Sequence, residues 1–375
     1  MAVLEAEEKL ARIRINSFSY LKSDWYGRLI GVYGSARSIL SARAEDVARD
    51  GGISLETAGN LLREAAAADP EKELRMTEAL GGRIVALGED GYPAALAEIT
   101  EPPLVLYVRG QLPEKPALGV VGTRKPSAYG RRMAQSLSRG LAECGFTIVS
   151  GLARGIDSCA HTAVLSAKGV TWAVIGTGLG RCYPAENRKL AEDIVASGGA
   201  IVSEFPYERG PMPFHFPRRN RIIAGLSCAV LVVEGAHTSG ALITARMAVE
   251  QGRDVLALPG QADSPQSEGP NLLIKDGAAL VRDIYDIVEA LPPRHLFGLD
   301  LPRRGKEHPS SSAERLKAEL GEDARAVLSC LGSEELSLDL FVERLGWTVP
   351  RVSQALFELE TQSLVMARDG IYSKN

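Results

Sequence analysis

The chain has 375 residues, of which 45% are hydrophobic and 24% are charged, and its formal net charge is −4. These values are typical of a soluble globular protein with two or three domains, and they argue against a disordered, fibrous or nonspecifically polyanion-binding chain. No apolar stretch approaches the length of a membrane span and residues 1–10 lack a signal-peptide pattern, so we expect a cytoplasmic protein with no membrane partner.

The cysteines are five in number and never lie closer together than 15 residues. This spacing fits neither a disulfide framework nor a zinc site, so we expect reduced structural thiols and no bound metal. The residues are Cys144, Cys159, Cys182, Cys228 and Cys330.

Residues 1–80 contain no strand pattern and are predicted to form a small helical domain. The stretch 61–76 is rich in Ala and Glu, and residues 51–54 (GGIS) have the form of a turn between two short helices. A short element near residues 83–87 connects this domain to the next.

Residues 81–291 alternate short apolar runs with helical patterns, and the runs from residue 117 onward begin 24 to 29 residues apart. This interval fits one strand, loop, helix and loop, so we predict an α/β fold, a Rossmann-like open parallel sheet covered by helices on both faces. Ser127 and Asp157 are predicted to begin two of the helices. The predicted strands are 117–121, 146–150, 171–175, 200–203, 229–233, 254–258 and 278–281.

Residues 292–321 are rich in Pro, Gly, Ser and charge and are predicted to be a linker. Residues 322–375 give three helical patterns and then a hairpin with an Asp369-Gly370 turn, which is the order of a winged-helix domain. The third helix, 349–360, offers Arg351 as its only cation in a segment of net charge −4. We therefore expect this domain to contact protein rather than a DNA groove.

Positive charge is concentrated inside the sheet domain. Residues 119–221 hold 14 basic and 7 acidic residues, whereas residues 222–290 hold 4 basic and 9 acidic residues. This asymmetry favours a polyanion site within the basic stretch, while the rest of the molecule stays acidic.

The loops that follow parallel strands meet at one edge of the sheet, where ligands bind in such folds. Four successive loops combine glycine with arginine: glycine lets the backbone approach a ligand, and amides at helix starts face anions. We therefore predict a phosphate-binding edge. The loops are 122–126, 151–155, 176–181 and 204–217, and the last of them leads into residues 218–221 (RRNR).

The motifs of nucleotide cofactors are absent. There is no G-x-x-x-x-G-K-[ST], and in residues 176–180 (GTGLG) the third glycine comes one residue too early for dinucleotide binding, so no cofactor is predicted. Asp157 and His161 have no third metal ligand nearby and are expected to cap and pack their helix. Glu204 and Glu234 are expected to hold loop amides or neighbouring arginines, so we predict no catalytic residue.

Aromatic residues alternate with the basic loops. Grooves for single-stranded nucleic acid combine cations that follow the phosphates with rings that stack on bases, each stack contributing about 1–3 kcal/mol. This pattern favours single strands over duplex, although Phe205 and Tyr129 are expected in the core. The aromatic residues are Tyr129, Tyr183, Phe205, Tyr207, Phe214 and Phe216.

Six stretches of the sheet domain carry a family resemblance: VGTR (121–124), SGLARGIDSCAH (150–161), IGTGLGRCYPAENRKL (175–190), SEFPYERGPMPFHFPRRNRIIAGLS (203–227), VVEGAHTSGALITARMAVEQGRDVLALPG (232–260) and EGPNLLIKDGA (268–278). In this order they resemble the DprA/Smf family of DNA-processing proteins. The resemblance also implies that residues 1–80 are a SAM-like domain and that a C-terminal winged helix is present. Gly180 departs from the family pattern, in which an aspartate commonly stands there.

The resemblance implies a protein without catalytic activity that binds and protects single-stranded DNA in natural transformation. It also implies a homodimer formed through the sheet domain, loading of the RecA recombinase, and single-strand binding protein as a further partner. Arg124 corresponds to the arginine of the family's first glycine loop, Lys189 to the basic residue after the Y-P-x-x-N stretch, and residues 216–221 to F-P-x-R-N-R. The predicted DNA-binding residues are Gly122, Thr123, Arg124, Lys125, Arg154, Gly178, Arg181, Asn187, Lys189, Phe214, Phe216, Arg218, Arg219, Asn220 and Arg221.

A nucleotide-processing enzyme of the phosphoribohydrolase type is the alternative, because related open α/β folds use similar glycine loops and a glutamate. The P-G-G-x-G-T-x-x-E signature of those enzymes is absent, and residues 234–240 (EGAHTSG) are only distantly similar to it. Turnover of a mononucleotide without DNA affinity would favour the enzyme.

Overall fold

The computed structural model describes residues 5–18, 23–113, 115–301, 320–331, 336–361, 364–368 and 371–374. The chain divides between residues 302 and 303 into two compact units. Among the described residues, a nine-stranded sheet with flanking helices forms the first unit, and a three-stranded sheet with helices forms the second. No helix among them is long and apolar enough to cross a membrane.

The strands of the first unit are β1 (Gly82–Ala86), β2 (Val105–Gly110), β3 (Ala117–Val121), β4 (Thr147–Ser150), β5 (Thr171–Val174), β6 (Ala200–Ser203), β7 (Ala229–Val232), β8 (Asp254–Ala257) and β9 (Ala279–Leu280). They pair in the order β1-β2-β6-β5-β4-β3-β7-β8-β9. Strands β3 to β9 are parallel, whereas β1 pairs antiparallel with β2 and β2 with β6. The predicted α/β fold with a parallel sheet is confirmed, and each predicted strand lies within one residue of β3 to β9.

The helices of the first unit are α1 (Ala6–Asn16), α2 (Ser23–Tyr33), α3 (Ala36–Ser41), α4 (Ala44–Gly51), α5 (Leu55–Ala67), α6 (Pro70–Ala79), α7 (Ala94–Ala97), α8 (Ala128–Glu143), α9 (Ile156–Ser166), α10 (Arg188–Ala196), α11 (His215–Gly225), α12 (Gly240–Glu250), α13 (Glu268–Lys275) and α14 (Ile284–Ala290). Helices α8, α9 and α14 share one apolar core with the sheet. Helices α7, α11 and α12 pack in a second core on its other face. Because both faces are covered, the parallel strands are mostly apolar.

The order of the strands reverses at β3. The chain moves outward from β3 through β4, β5 and β6, and then returns to place β7 on the other side of β3. The loops that follow β3 and β7 therefore diverge and leave a crevice at the carboxyl ends of these strands, which is the ligand position in open α/β sheets.

Strands β1 and β2 join the helices before residue 80 to the sheet. Strand β1 lies at the short connecting element predicted near residues 83–87, whereas β2 was not predicted. Their side chains alternate: Ile84 and Tyr107 enter the core formed with α1 to α5, while Val85 and Leu106 enter the core formed with α11. Although a boundary is predicted at residue 80, the described residues on both sides of it belong to one compact unit.

The first unit also extends into the predicted linker, residues 292–321. Leu296, Leu299 and Leu301 pack against the core of α8 and α9. The surrounding prolines and charges suggested a solvated segment, but these leucines supply an apolar face that the core accepts. The part of the predicted linker up to residue 301 therefore belongs to the packed structure.

The second unit contains α15 (Glu322–Leu331), α16 (Leu338–Leu345), α17 (Val349–Thr361), β10 (Leu336–Ser337), β11 (Val365–Arg368) and β12 (Ile371–Lys374). This order confirms the predicted winged helix, with the hairpin paired antiparallel. The predicted Asp369-Gly370 turn lies outside the described residues. Arg351 of α17 is bonded to Asp323 at 2.6 and 2.8 Å, so the cation of this helix is already neutralised.

Candidate nucleic-acid interface

A groove of about 840 Å3 occupies the crevice at the carboxyl ends of β3 and β7. Its walls are the loop after β3, the loop that leads into α12, and residues 211–220 before and within α11. The lining holds three cations, Arg124, Lys125 and Arg219, and one carboxylate, Asp157. The groove is therefore a basic cleft at the edge where the sequence predicts phosphate binding.

The loop after β3 is fixed from both sides by backbone hydrogen bonds. The Thr123 amide donates to the Glu234 carbonyl at 2.7 Å, and the Thr123 carbonyl accepts from the Ile156 amide at 3.2 Å. A Cβ on Gly122 would lie 2.5 Å from the Ile156 side chain, so only glycine allows this approach. Arg124 is held exposed at the groove rim as a result.

Glu234 ties this loop to the next helix. Its buried carboxylate accepts from the Ser127 amide at 2.9 Å and from the Ser127 hydroxyl at 2.5 Å. The same hydroxyl accepts from the Gly130 amide, which makes Ser127 the cap of α8 as predicted. The expectation that Glu234 holds loop amides is confirmed.

Tyr183 and Phe216 line the groove, and together with Phe214, which directly precedes α11, we call them the aromatic ledge. The Tyr183 and Phe216 rings lie 5.5 Å apart at an interplanar angle of 47°. The Arg124 guanidinium lies 5.5 Å from the Phe216 ring centre. Tyr183 and Phe214 are each 40% exposed, so their rings are accessible to a ligand beside a cation.

His215 supports the ledge from below and was not found by the sequence reading. Its buried ring stacks on Phe205 at 4.0 Å and meets Phe214 edge-on at 4.6 Å, while Nδ1 lies 3.1 Å from the Gly176 carbonyl. Burial lowers the pKa of His215, so the ring is neutral when it packs. Phe205 is buried, as predicted.

Two arginines of the RRNR stretch turn towards Glu204 rather than towards solvent. Arg221 is 5% exposed and its guanidinium lies 2.6 Å from the Glu204 carboxylate, which is itself 2% exposed. Arg218 bonds the same carboxylate at 3.1 Å. Arg221 and half-buried Arg218 therefore have their charges balanced within the fold, and their contact with DNA stays a prediction. Glu204 holds neighbouring arginines, as expected.

Arg219 lines the groove but is almost entirely buried, and its predicted contact with DNA is not tested. Its guanidinium donates to the carbonyls of Gly151 and Val174 and faces the carboxylate of Asp157. Burial lowers the pKa of Arg219 to about 10 and raises that of Asp157. The pair braces the loop after β4 and has no free charge for a phosphate.

The sequence predicts that Asp157 begins α9. In the structure α9 begins at Ile156 after Gly155, and Asp157 lies in the first turn of the helix. The Asp157 carboxylate instead accepts from the amides of Gly151 and Ala153 at 3.1 and 3.2 Å. His161 packs in the core with Nδ1 2.7 Å from the Thr171 hydroxyl, so its predicted packing role is confirmed.

Gly178 and Asn187 both form hydrogen bonds within the fold, and their part in DNA binding stays a prediction. The Gly178 amide donates to the Arg209 carbonyl at 2.9 Å, so it is unavailable to a phosphate. The Asn187 side chain donates to the Leu152 carbonyl at 2.8 Å and to the Ser158 hydroxyl at 3.0 Å.

The remaining predicted cations are all exposed but differ in whether they form an ion pair. Arg154 is exposed but paired with Glu186 at 2.5 and 2.7 Å. Lys125, Arg181 and Lys189 are exposed, and none forms an ion pair with a described residue. Of these, Lys125 lines the groove beside Arg124, whereas Arg181 lies in the loop after β5 and Lys189 in the first turn of α10.

No group of three or more metal-ligating side chains occurs among the residues that the structure describes. Of the carboxylates at the groove, Asp157 is engaged by amides and Arg219, and the neighbouring Glu234 by Ser127. The exposed cation and rings suit the site to an anionic, base-bearing ligand.

Residues 83–292 match the family described as DNA recombination-mediator protein A, and residues 311–370 match the DprA winged helix domain. The first match spans more than half of the chain. The chain belongs to the DprA/Smf family. The DprA/Smf resemblance carried by the glycine loops is thereby confirmed, and with it the assignment to DNA-processing proteins.

Individual DprA/Smf relatives match over most of their length. Protein Smf of Escherichia coli is 42% identical over 304 residues, covering 80% of this chain and 80% of that protein. DNA processing protein DprA of Bacillus subtilis is 44% identical over 219 residues, covering 58% of this chain and 73% of that protein.

Two solved DprA structures share the fold. That of Streptococcus pneumoniae has a TM-score of 0.65 and 32% identity, covering 78% of this chain and 99% of that chain. That of Helicobacter pylori, described as giving insight into a single-stranded DNA binding mode, has a TM-score of 0.50 and 28% identity, covering 56% of this chain and 94% of that chain.

Proposed function

We propose that this protein binds single-stranded DNA in the groove between β3 and β7 and acts as a recombination mediator without catalysing a reaction. In this role it protects incoming single strands in the cytoplasm during natural transformation and loads the RecA recombinase onto them. It works as a homodimer, with single-strand binding protein as a further partner.

The observation that carries this proposal is the pairing of a free cation with exposed rings at one rim. Arg124 lies over Phe216, and Tyr183 stands beside that ring with its face accessible. Phosphates of an extended strand meet the cation while unpaired bases stack on the rings, and both contacts are independent of sequence. A duplex hides its base faces, so it gains only the phosphate contacts.

Lys125 and Asn220 line the groove, and the exposed cations Arg181 and Lys189 add positive charge on the loop after β5 and on α10. Gly122 and Thr123 act through the backbone that presents Arg124. The Helicobacter pylori relative, whose structure is described in terms of single-stranded DNA binding, supports the same ligand for this groove.

The test is a fluorescence-anisotropy titration of oligothymidylate at several salt concentrations. We expect Arg124→Ala to weaken binding about tenfold and to reduce the slope of log affinity against log salt by about 0.7, since one phosphate contact is lost. Lys189→Glu should weaken binding more, because it also repels the strand.

Arg63→Ala is the matched control, since Arg63 is an exposed arginine on α5. An Arg124→Ala variant that binds like this control would contradict the proposal. So would turnover of a mononucleotide by a protein that shows no affinity for DNA, which is the behaviour expected of a phosphoribohydrolase.

A further inference from the structure

Helix α8 starts at the rim of the groove and leads away from it. Its cap, Ser127, is fixed to the buried carboxylate of Glu234, so the first turn is anchored at the groove wall. The helix then continues for 16 residues, which is about 24 Å at the rise of an α-helix.

The solvent face of α8 carries three exposed arginines, which we call the α8 stripe: Arg131, Arg132 and Arg139. They lie at helical spacing on the side opposite the buried residues Ala134 and Leu137. The two residues between them on this face, Gln135 and Ser136, are also exposed and are uncharged.

The charges of the α8 stripe are not balanced by carboxylates. Within the described residues, no ion pair includes any of the three, whereas some exposed arginines elsewhere are paired, as Arg49 is with Asp46 and Arg282 with Asp286. Natural surfaces intersperse the two signs, and a run of one sign attracts an external counter-charge.

The stripe is continuous with the proposed DNA groove. Arg131 donates to the carbonyl of Pro126 at 2.7 Å, so its guanidinium leans towards the loop that presents Arg124 and Lys125. From Arg131 to Arg139 the helix rises about 12 Å. A strand with phosphates 3.4 Å or more apart places about three of them along that length.

We propose that the α8 stripe is a second contact surface for the same single strand, which leaves the groove past Lys125 and runs along α8. The contact is to phosphates alone, because the stripe presents guanidinium groups and no exposed ring. The inference rests on the proposed function and adds to it a footprint longer than the groove.

The test compares a thymidine oligonucleotide of about six residues, which the groove accommodates alone, with one of about 25 residues. The variant replaces Arg131, Arg132 and Arg139 together by Gln. We expect the short oligonucleotide to bind as in the wild type. The long one should bind at least about tenfold more weakly, with a salt slope smaller by about 2.

A matched control replaces Arg43, Arg63 and Arg75 by Gln, which makes the same change in net charge at exposed positions of the helical segment. The inference is overturned if the stripe variant binds the long oligonucleotide like this control. It is also overturned if the stripe variant loses the short and the long oligonucleotide equally, or loses duplex affinity alone.

Failure of the proposed function gives a different result. In that case the wild-type protein fails to bind even the short oligonucleotide, or binds it equally well with Arg124→Ala. If binding of the short oligonucleotide depends on Arg124 but binding of the long one is unchanged in the stripe variant, this inference is overturned, while the proposal that the groove binds DNA still holds.

Discussion

Glu204 decides which arginines of the RRNR stretch can meet a ligand. Its carboxylate lies inside the fold between Arg218 and Arg221, so it balances charge that the sequence suggested was facing solvent. Composition and spacing identified this cluster correctly as basic, but only tertiary packing shows which way each side chain turns. The free cations, Arg124 and Lys125, come instead from the glycine loop after β3.

Glu204→Gln is expected to destabilise the fold by about 3–5 kcal/mol, because it leaves the buried Arg221 without its counter-charge. Urea unfolding followed by circular dichroism measures the loss. Glu208→Gln is the control, since Glu208 pairs with Lys72 at the surface. Equal stability of the two variants would show that the folded protein does not depend on Glu204 as the counter-charge of buried Arg221.

His161 makes stability depend on pH. Its Nδ1 donates to the Thr171 hydroxyl, which itself donates to the Ile148 carbonyl, and Nε2 is buried without a hydrogen-bond partner. Burial lowers the pKa of His161 from 6.5 to about 3. Between these values the unfolded chain binds the proton and the folded chain does not, so stability falls as the pH falls.

The expected contribution of His161 is a loss of about 1.4 kcal/mol for each pH unit below 6.5, ending near pH 3. His161→Asn keeps a donor for Thr171 but does not titrate, so its unfolding free energy should fall less steeply over this window. Parallel urea titrations of the wild type and the variant between pH 4 and pH 7 measure the difference in slope. Identical slopes would contradict the assignment.

The predicted elements were most accurate where the hydrophobic period was regular. Strands β3 to β9 follow the repeat of about 25 residues, so their positions were evident from apolar runs alone. Strands β1 and β2 lie outside that repeat. Strand β2 pairs with β6, which is distant in sequence, and β1 pairs with β2, so a local pattern does not show that they belong to the sheet.

The glycine loops were recognised, but their individual roles were not. Gly122 and Gly178 look alike in sequence, yet the first approaches Ile156 beside the ligand rim, while the second packs against residues 206–207 of the fourth loop. A phosphate site and a packing contact both require glycine, so only the neighbouring chain distinguishes them.

Gly122→Ala is expected to displace the loop after β3, since the new methyl group would lie 2.5 Å from Ile156. We expect a loss of stability of about 1–3 kcal/mol and weaker binding of oligothymidylate, because Arg124 moves with the loop. Thermal unfolding and anisotropy report the two effects. Gly210→Ala has open space around its Cβ and serves as the control, which should match the wild type in both measurements.

At the scale of the whole molecule, the two units have separate cores, and charge is distributed unevenly within each of them. The first unit holds the basic stretch and the groove, whereas residues 322–375 have a net charge of −4, and the cation of α17 is bonded to Asp323. The position of the basic stretch in the sheet domain, and the presence of a separate winged helix, were predictable from charge and hydrophobic period. The packed end of the first unit was not, because three leucines are hidden among prolines and charges.

Removal of residues 303–375 is therefore expected to leave the affinity for oligothymidylate unchanged within about twofold, since few phosphate contacts are lost. Arg351→Ala in the full chain should behave the same way. The measurement is the anisotropy titration at one fixed salt concentration, and a fall of about tenfold or more in either protein would assign the winged helix a direct part in holding the strand.

The central claim is that a single strand lies in the groove between β3 and β7. Photo-crosslinking of a halogenated oligothymidylate to the full chain, followed by mapping of the linked peptides, tests it most directly. We predict links to Tyr183, Phe214 or Phe216, and their loss in Arg124→Ala under dilute conditions. Links confined to the winged helix, or to the amino-terminal edge of the sheet, would contradict the account.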